Sequence, residues 1–309
     1  MFTRPEIIRP PSEWRSYYLP LTHGCSNSTC TFCNFYGTEF QIRDLDEVKQ
    51  EIEALSLYVK QGIVLNGIPS IVYALASRWD GKRIFLQDGD ALVYPLAKLK
   101  GVLRSINEKL PHVERIAAYA TAQDILRIDT GDLEELRSLK LGILYIGLES
   151  GDDEILKRIC KNVGSAEIIQ ACKRVKEAGI LTSVTVILGL GGVEGSEKHT
   201  RATARALTEM DPDYAGALTL TIVPGTPLEQ EYKQGKFTLI TPFQSIVELL
   251  DIVKNSSFTH CFFSSMHASN YFSIRGILPD DKEKMINQLE RIIKEDDPHS
   301  LRPEFLRGL

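Results

Sequence analysis

The chain has 309 residues, of which 43% are hydrophobic and 25% are charged, and its net charge is -5. These values are typical of a globular protein with a sizeable core, and the acidic balance excludes a general attraction to nucleic acid. No run of about 20 apolar residues is present, which excludes a membrane-spanning helix, and the first residues lack the apolar stretch of a secretory signal. We therefore expect a cytoplasmic protein.

Short apolar runs alternate with segments of helical periodicity. Strands are predicted at residues 17–22, 83–87, 115–120, 142–148, 181–188 and 214–223. Helices are predicted at residues 44–59, 93–110, 124–139, 166–178 and 195–210, with a further short helix within residues 63–80. This alternation predicts a parallel sheet covered by helices.

Chemically distinctive residues follow the predicted strands. They are Cys25, Asp90, Thr121, Glu149, Gly189 and Pro224. In barrel folds, the loops at the carboxyl ends of the strands build the active site. We therefore expect these residues to meet at one mouth of the fold.

The pattern becomes less regular from residue 228 onwards. Helices are predicted near residues 243–254 and 280–294, with an apolar stretch at residues 258–264 between them. We predict an N-terminal extension over residues 1–16, a core over residues 17–235, and a C-terminal extension over residues 236–309 that covers the core.

Cys25, Cys30 and Cys33 form a C-x4-C-x2-C motif directly after the first predicted strand. Three thiolates on one tight loop can hold three corners of an iron–sulfur cube and leave the fourth iron without a protein ligand. An open iron can bind a substrate or cofactor. The motif therefore predicts a cluster that performs chemistry and does not only carry electrons.

Zinc and disulfides are the alternatives for these cysteines. A structural zinc site usually has four ligands in recurring C-x2-C pairs, and here only Cys30 and Cys33 form such a pair, with Cys25 or His23 as further candidates. Disulfides are disfavoured because the chain, with six cysteines in 309 residues, does not resemble a small secreted domain.

Together, these features resemble the radical S-adenosylmethionine (SAM) superfamily. The resemblance covers residues 17–235 and is strongest in the cysteine motif, in residues 147–161 and in residues 223–228. It is nearest to the branch of oxygen-independent coproporphyrinogen oxidase, the Elongator catalytic subunit and the methylthiotransferases. The methylthiotransferases are disfavoured within it because they carry an auxiliary cluster, and this sequence has no second set of three cysteines. The usual family motif is C-x3-C-x2-C, so this chain has one extra residue between its first two cysteines.

The resemblance implies an α/β fold, a partial (β/α)6 TIM-type barrel with a C-terminal extension. It also implies a [4Fe-4S] cluster that reductively cleaves SAM. The resulting 5′-deoxyadenosyl radical would abstract hydrogen from a small or medium organic substrate under anaerobic conditions. An electron donor such as flavodoxin or ferredoxin is implied as a partner.

The family pattern also assigns roles to individual residues. Cys25, Cys30 and Cys33 would ligate the cluster. Lys161 would pair with the SAM carboxylate, and Glu149 would contact its ribose or amino group. The other implied SAM contacts are Phe32 near the adenine, the turn formed by Asp88, Gly89 and Asp90 at the amino group, Thr121, Thr185 at the ribose, and the glycine turn at Gly189.

Residues 259–275 are dense in reactive side chains, and we predict that this segment closes the mouth and contacts the substrate. His267, Asn270 and Arg275 are the candidate substrate contacts, because Arg275 could pair with a carboxylate or phosphate. Cys261 or Tyr271 could return a hydrogen atom to a substrate radical. These residues could equally be core and surface positions without a catalytic role.

Three functions compete for this sequence. The first is a radical SAM enzyme with an unidentified substrate. The second is a non-catalytic iron–sulfur carrier or SAM-binding regulatory protein on the same fold. The third is a zinc-dependent barrel hydrolase.

Overall fold

The computed structural model describes residues 2–308, and the chain forms two compact units. The first unit contains the chain up to residue 28 together with residues 37–145 and 174–181. The second unit contains residues 29–36, residues 146–173 and the chain from residue 182 onwards. The domain boundaries proposed from the sequence stay a prediction.

The first unit alternates strands and helices. In chain order it contains β1 (Tyr17–Pro20), β2 (Thr22–His23), β3 (Gln41–Ile42), α1 (Leu45–Gln61), α2 (Ser70–Ala76), β4 (Arg83–Gln87), α3 (Leu96–Lys109), β5 (Arg115–Ala120), α4 (Ala122–Leu126), α5 (Thr130–Ser138) and the start of β6 (Leu141–Glu149). Strands β1, β4 and β5 are parallel. The predicted α/β alternation is therefore confirmed in this unit.

Both faces of these strands are buried, and one layer of the core lies on the face that carries Tyr18 and Phe85. Tyr18 lies opposite Phe85, and Phe85 lies opposite Ala117 in the next strand. These three side chains pack with Ile143 and Tyr145 of β6 in one buried cluster. Because alternate residues of a strand point to opposite faces, this layer follows directly from the apolar sequences of the strands.

Local signals set the ends of the helices in this unit. Helix α1 begins after Asp44, whose side chain accepts the N–H of Asp46, and it ends at Gly62, which has a φ of +71°. Residues 124–139, predicted to be mostly helical, contain the end of α4 and the whole of α5. The side chain of Asp129 accepts the N–H of Asp132 and begins a new helix, α5.

The second unit continues the same alternation. Its elements are α6 (Asp153–Arg158), α7 (Ser165–Glu177), β7 (Leu181–Leu188), α8 (Gly192–Met210), β8 (Tyr214–Thr219), α9 (Pro227–Lys233), α10 (Pro242–Asn255), β9 (Cys261–Ser264), β10 (Arg275–Leu278) and α11 (Lys282–Glu295), with the end of α7 and the first residue of β7 in the first unit. Strands β7, β8 and β9 are parallel, and β10 is antiparallel to β9.

Helices α6 and α9 and strand β10 were not predicted. Each is short, with six, seven and four residues, so the apolar period is too brief to recognise. The capping residues are visible in the sequence, because Asp152 begins α6 and Thr226 precedes Pro227 at the start of α9. Within residues 2–308, none of the helices has both the length and the apolar character needed to cross a membrane.

Candidate active site

In the second unit, Cys30 and Cys33 lie on a compact turn. Cys30 is buried and Cys33 is half-buried. The N–H of Cys33 donates to the carbonyl of Cys30 at 3.2 Å, and the N–H of Phe35 donates to the sulfur of Cys33 at 3.5 Å. Phe32, between the two cysteines, is half-buried. The turn thus fixes the backbone around two of the three cysteines of the motif.

Residues 159–162 hold this turn from the end of α6. The N–H of Thr31 donates to the carbonyl of Ile159 at 2.9 Å. The hydroxyl of Thr29 donates to the carbonyl of Cys160 at 3.1 Å and accepts from the side chain of Asn162 at 2.8 Å. Cys160 and Asn162 have φ values of +55° and +58°, which non-glycine residues rarely adopt. The strained backbone is held in place by its contacts with the cysteine turn.

Glu149 and Lys161 form an ion pair in the second unit. Their Oε1 and Nζ atoms are 2.7 Å apart, and the side chains are only 12% and 15% exposed. Glu149 ends β6 with a φ of +60°. A Cβ atom on Gly147 would overlap Oε1 of Glu149 and lie 2.9 Å from Nζ of Lys161, so glycine leaves the space that the pair occupies. Two of the residues that the family pattern assigns to SAM, Glu149 and Lys161, are therefore brought together.

In the first unit, the turn after β4 holds the backbone that precedes Cys25. The carboxylate of Asp88 accepts the N–H of Gly24 at 2.9 Å, and the N–H of Gly89 donates to the carbonyl of Gly24 at 3.2 Å. Gly24 has a φ of +78°, which requires glycine at this close approach. Asp88 is buried, and burial raises its pKa to about 7. The predicted turn thus acts on the cysteine loop through the backbone.

Asp90 and Thr121 belong to a polar cluster in the same unit, in which the two aspartates, Asp90 and Asp124, are buried. The hydroxyls of Ser26 and Thr121 each lie 2.8 Å from Oδ2 of Asp90, and they lie 3.1 Å and 2.8 Å from Oδ2 of Asp124. Each hydroxyl can donate only one hydrogen bond at a time, so the two hydroxyls together donate to the two carboxylates. Burial raises the pKa of Asp90. The cluster fixes Ser26, the residue that follows Cys25.

The turn after β7 contains Gly189, another predicted SAM contact. Gly189 has a φ of +81°, and its N–H donates to Oε2 of Glu248 at 2.6 Å. Thr185 is half-buried on β7. The glycine turn was expected from the sequence, but the contact with Glu248 was not, because 59 residues separate the two.

The predicted substrate segment is largely engaged within the second unit. Asn270 is buried, and its side chain accepts from Thr219 at 2.7 Å and donates to the carbonyls of Ala217 and Ser265 at 2.7 and 2.6 Å. Nδ1 of His267 lies 2.9 Å from the hydroxyl of Ser269. These bonds stabilise the segment. A substrate role for Asn270 and His267 stays a prediction.

Tyr271 packs with the end of the chain. Its hydroxyl donates to Glu304 at 2.5 Å and accepts from Arg307 at 2.5 Å, and the Arg307 guanidinium lies 4.1 Å from the centre of the ring. Cys261 is buried at the start of β9, whereas Arg275 is exposed at the start of β10. The catalytic roles of Cys261 and Tyr271 and the substrate contact of Arg275 stay predictions.

Sequence reasoning missed His199, which is fully buried on α8. Its Nδ1 lies 2.8 Å from the hydroxyl of Ser150, the residue after Glu149. Nε2 lies 3.9 Å from Oε2 of Glu248. The sequence showed only a histidine in a segment with the apolar periodicity of a helix. That pattern is weak evidence that the histidine is buried with a polar partner.

We predict that His199 makes folding stability depend on pH. Burial lowers its pKa from 6.5 to about 4, because the charged imidazolium loses its hydration. Between these values the unfolded chain binds a proton that the folded protein does not. Stability therefore falls as the pH drops through this range, by about 3 kcal/mol at most.

Urea unfolding of wild type and His199→Asn at several pH values across this range tests the prediction. The free energy of unfolding should fall less steeply in the variant on acidification. An equal decrease of the free energy of unfolding in the two proteins on acidification would contradict the prediction.

The donor set of the cysteine loop fits an iron–sulfur cluster. Thiolates are the usual ligands of such clusters, and N–H donors to sulfur, such as that of Phe35, are typical of their surroundings. Among residues 2–308, no group of three or more His, Cys, Asp or Glu side chains is arranged to hold a metal ion. The assignment of the three cysteines therefore depends on the motif and its chemistry, not on preformed geometry.

A sequence profile of the radical SAM superfamily matches residues 19–204. A protein of Methanocaldococcus jannaschii, provisionally named a methylthiotransferase, is 24% identical over 174 residues, which cover 55% of this chain and 34% of that protein. The chain spans about a third of the length of the curated relatives that it matches.

Solved structures provide the second comparison. Coproporphyrinogen III oxidase of Escherichia coli is similar with a TM-score of 0.51 and 17% identity, covering 77% of this chain and 50% of that chain. Archaeal Elp3 of Methanocaldococcus infernus is similar with a TM-score of 0.50 and 14% identity, covering 70% and 55%. These likenesses confirm the predicted fold class.

Proposed function

The chain belongs to the radical SAM superfamily, and from this premise we propose that it is an enzyme that cleaves SAM reductively. A [4Fe-4S] cluster held by Cys25, Cys30 and Cys33 would supply the electron that breaks the carbon–sulfur bond. The 5′-deoxyadenosyl radical would then abstract hydrogen from an organic substrate. The extra residue of the C-x4-C-x2-C motif is accommodated in the loop between Cys25 and Cys30.

The observation that carries this proposal is the position of the Glu149–Lys161 pair. Lys161 directly follows Cys160, whose carbonyl accepts from Thr29 and lies 4.0 Å from the sulfur of Cys30. Lys161 is therefore one residue away from a backbone carbonyl that contacts the cysteine turn. The methionine end of SAM carries one ammonium and one carboxylate. Glu149 and Lys161 present the complementary carboxylate and ammonium, so their charges match those of the methionine end one for one.

The remaining SAM contacts are proposed from the family pattern. Asp88, Gly89 and Asp90 would lie at the amino group, Phe32 and Gly189 near the adenine, and Thr185 at the ribose. The hydroxyl of Thr121 donates to the carboxylate of Asp90, and this hydrogen bond would keep that turn in place. The protein's contribution is to hold SAM in one orientation and exclude water from the radical.

The substrate side is proposed from the C-terminal segment. His267, Asn270 and Arg275 would contact the substrate, and Cys261 or Tyr271 would return a hydrogen atom. Of these, Arg275 is the exposed cation, which favours a substrate with a carboxylate or phosphate. Flavodoxin or ferredoxin would supply the electron, in the cytoplasm and under anaerobic conditions.

The test is a SAM cleavage assay. Protein reconstituted anaerobically with iron and sulfide is mixed with dithionite and SAM, and released 5′-deoxyadenosine is quantified by chromatography. Release that depends on both dithionite and cluster supports the proposal. An intact cluster without any release favours the non-catalytic carrier.

A further inference from the structure

Glu248 of α10 contacts the glycine turn after β7. Its side chain is 1% exposed. Oε2 accepts the N–H of Gly189 at 2.6 Å, and Oε1 accepts the hydroxyl of Ser196 at 2.6 Å. A buried carboxylate is costly unless its oxygens have donors, and both oxygens here have one. Glu248 is therefore tied to this turn through two short hydrogen bonds.

The residues before α10 pack against the same turn. A Cβ atom on Gly189 would lie 2.9 Å from the side chain of Ile240, and one on Gly192 would lie 3.1 Å from the ring of Phe237. The N–H of Val193 donates to the carbonyl of Thr238 at 3.0 Å. The turn therefore has no room to shift toward this segment, and Glu248 fixes the N–H of Gly189.

His199 lies between Glu248 and the end of β6. Nε2 of His199 lies 3.9 Å from Oε2 of Glu248, and Nδ1 lies 2.8 Å from the hydroxyl of Ser150. Ser150 follows Glu149 directly. A buried histidine thus lies between the strand end that carries Glu149 and the turn that carries Gly189, hydrogen-bonded to Ser150 and too far from Glu248 for a hydrogen bond.

We propose that Glu248 is a positioning residue for SAM binding and that it acts through the Gly189 turn. This inference rests on the proposed function, in which Gly189 lies beneath the adenine. Nothing in the sequence motif identifies Glu248, because it lies well after residues 17–235, to which the resemblance is confined. The C-terminal segment therefore sets the affinity for SAM without contacting it.

Substitutions at Glu248 separate the effect of side-chain length from the effect of charge. Glutamine keeps the length of the side chain, so its carbonyl can accept from Gly189 and its amide can donate to Ser196. Aspartate keeps the charge but is one methylene shorter and cannot reach both donors. Alanine leaves the buried N–H of Gly189 without a partner, which is costly.

Equilibrium dialysis with labelled SAM measures the effect on anaerobically reconstituted protein of equal cluster content. We expect at least about a tenfold loss of SAM affinity in Glu248→Ala, a loss in Glu248→Asp, and near-wild-type affinity in Glu248→Gln. The matched control is Ser256→Ala. Ser256 is buried at the end of α10 and contacts the carbonyls of Ile252 and Ala204, away from the glycine turn.

Ser256→Ala should bind SAM like the wild type even where its melting temperature falls. Equal affinities of all Glu248 variants and wild type would overturn the inference, and so would an equal loss in Ser256→Ala. If Glu248→Ala does not fold, the contrast between Glu248→Asp and Glu248→Gln decides. Wild type that binds no SAM would instead overturn the proposed function itself.

Discussion

Cys33→Ala is expected to lose the [4Fe-4S] cluster and with it all release of 5′-deoxyadenosine. Two thiolates hold the cube less well than three, and the N–H of Phe35 loses its sulfur acceptor. Iron and sulfide content per chain, together with the cleavage assay, measure both effects. The expected result is a colourless protein that is folded but inactive.

The matched control is Cys172→Ala. Cys172 is buried in α7 and lies outside the cysteine motif. This variant should keep its iron, its sulfide and its activity. A Cys33→Ala protein with a full complement of iron and normal activity would remove Cys33 from the ligand set.

Lys161→Met is expected to weaken SAM binding by about 10- to 100-fold, with cluster content unchanged. The substitution keeps the unbranched shape of the side chain, one atom shorter, and removes the cation that faces Glu149 and, by proposal, the SAM carboxylate. Charge-assisted hydrogen bonds contribute about 1.5–3 kcal/mol, which corresponds to this loss of affinity. Equilibrium dialysis with labelled SAM provides the measurement.

Lys157→Met is the control for Lys161, since Lys157 is an exposed lysine on the neighbouring helix α6. Its affinity for SAM should equal that of the wild type. The double variant Glu149→Gln/Lys161→Met should lose less than the sum of the two single losses, because the two residues act as a pair. Unchanged affinity in Lys161→Met would contradict the pairing with the SAM carboxylate.

Local patterns predicted the parts of the site that are close in sequence. Glu149 was recognised as a carboxylate at the end of an apolar strand, and Lys161 came from the same motif, 12 residues later. The glycine turn at Gly189 followed from a strand that ends in glycines. These features are visible because sequence neighbours create them.

Long-range contacts could not be predicted in this way. Ser26 meets Asp124 across 98 residues, and Gly189 meets Glu248 across 59. No periodicity specifies such partners, because they depend on how strands and helices pack. The same reason explains Asn270, which was predicted from its side-chain chemistry but whose amide is bonded to Thr219, Ala217 and Ser265.

Mössbauer spectroscopy of the anaerobically reconstituted protein, recorded without and with SAM, tests the central claim most directly. We predict a [4Fe-4S] spectrum in which one of the four irons changes its signal when SAM is added, since that iron has no protein ligand. A mononuclear iron spectrum, or a cube whose four irons are all unaffected by SAM, would contradict the account.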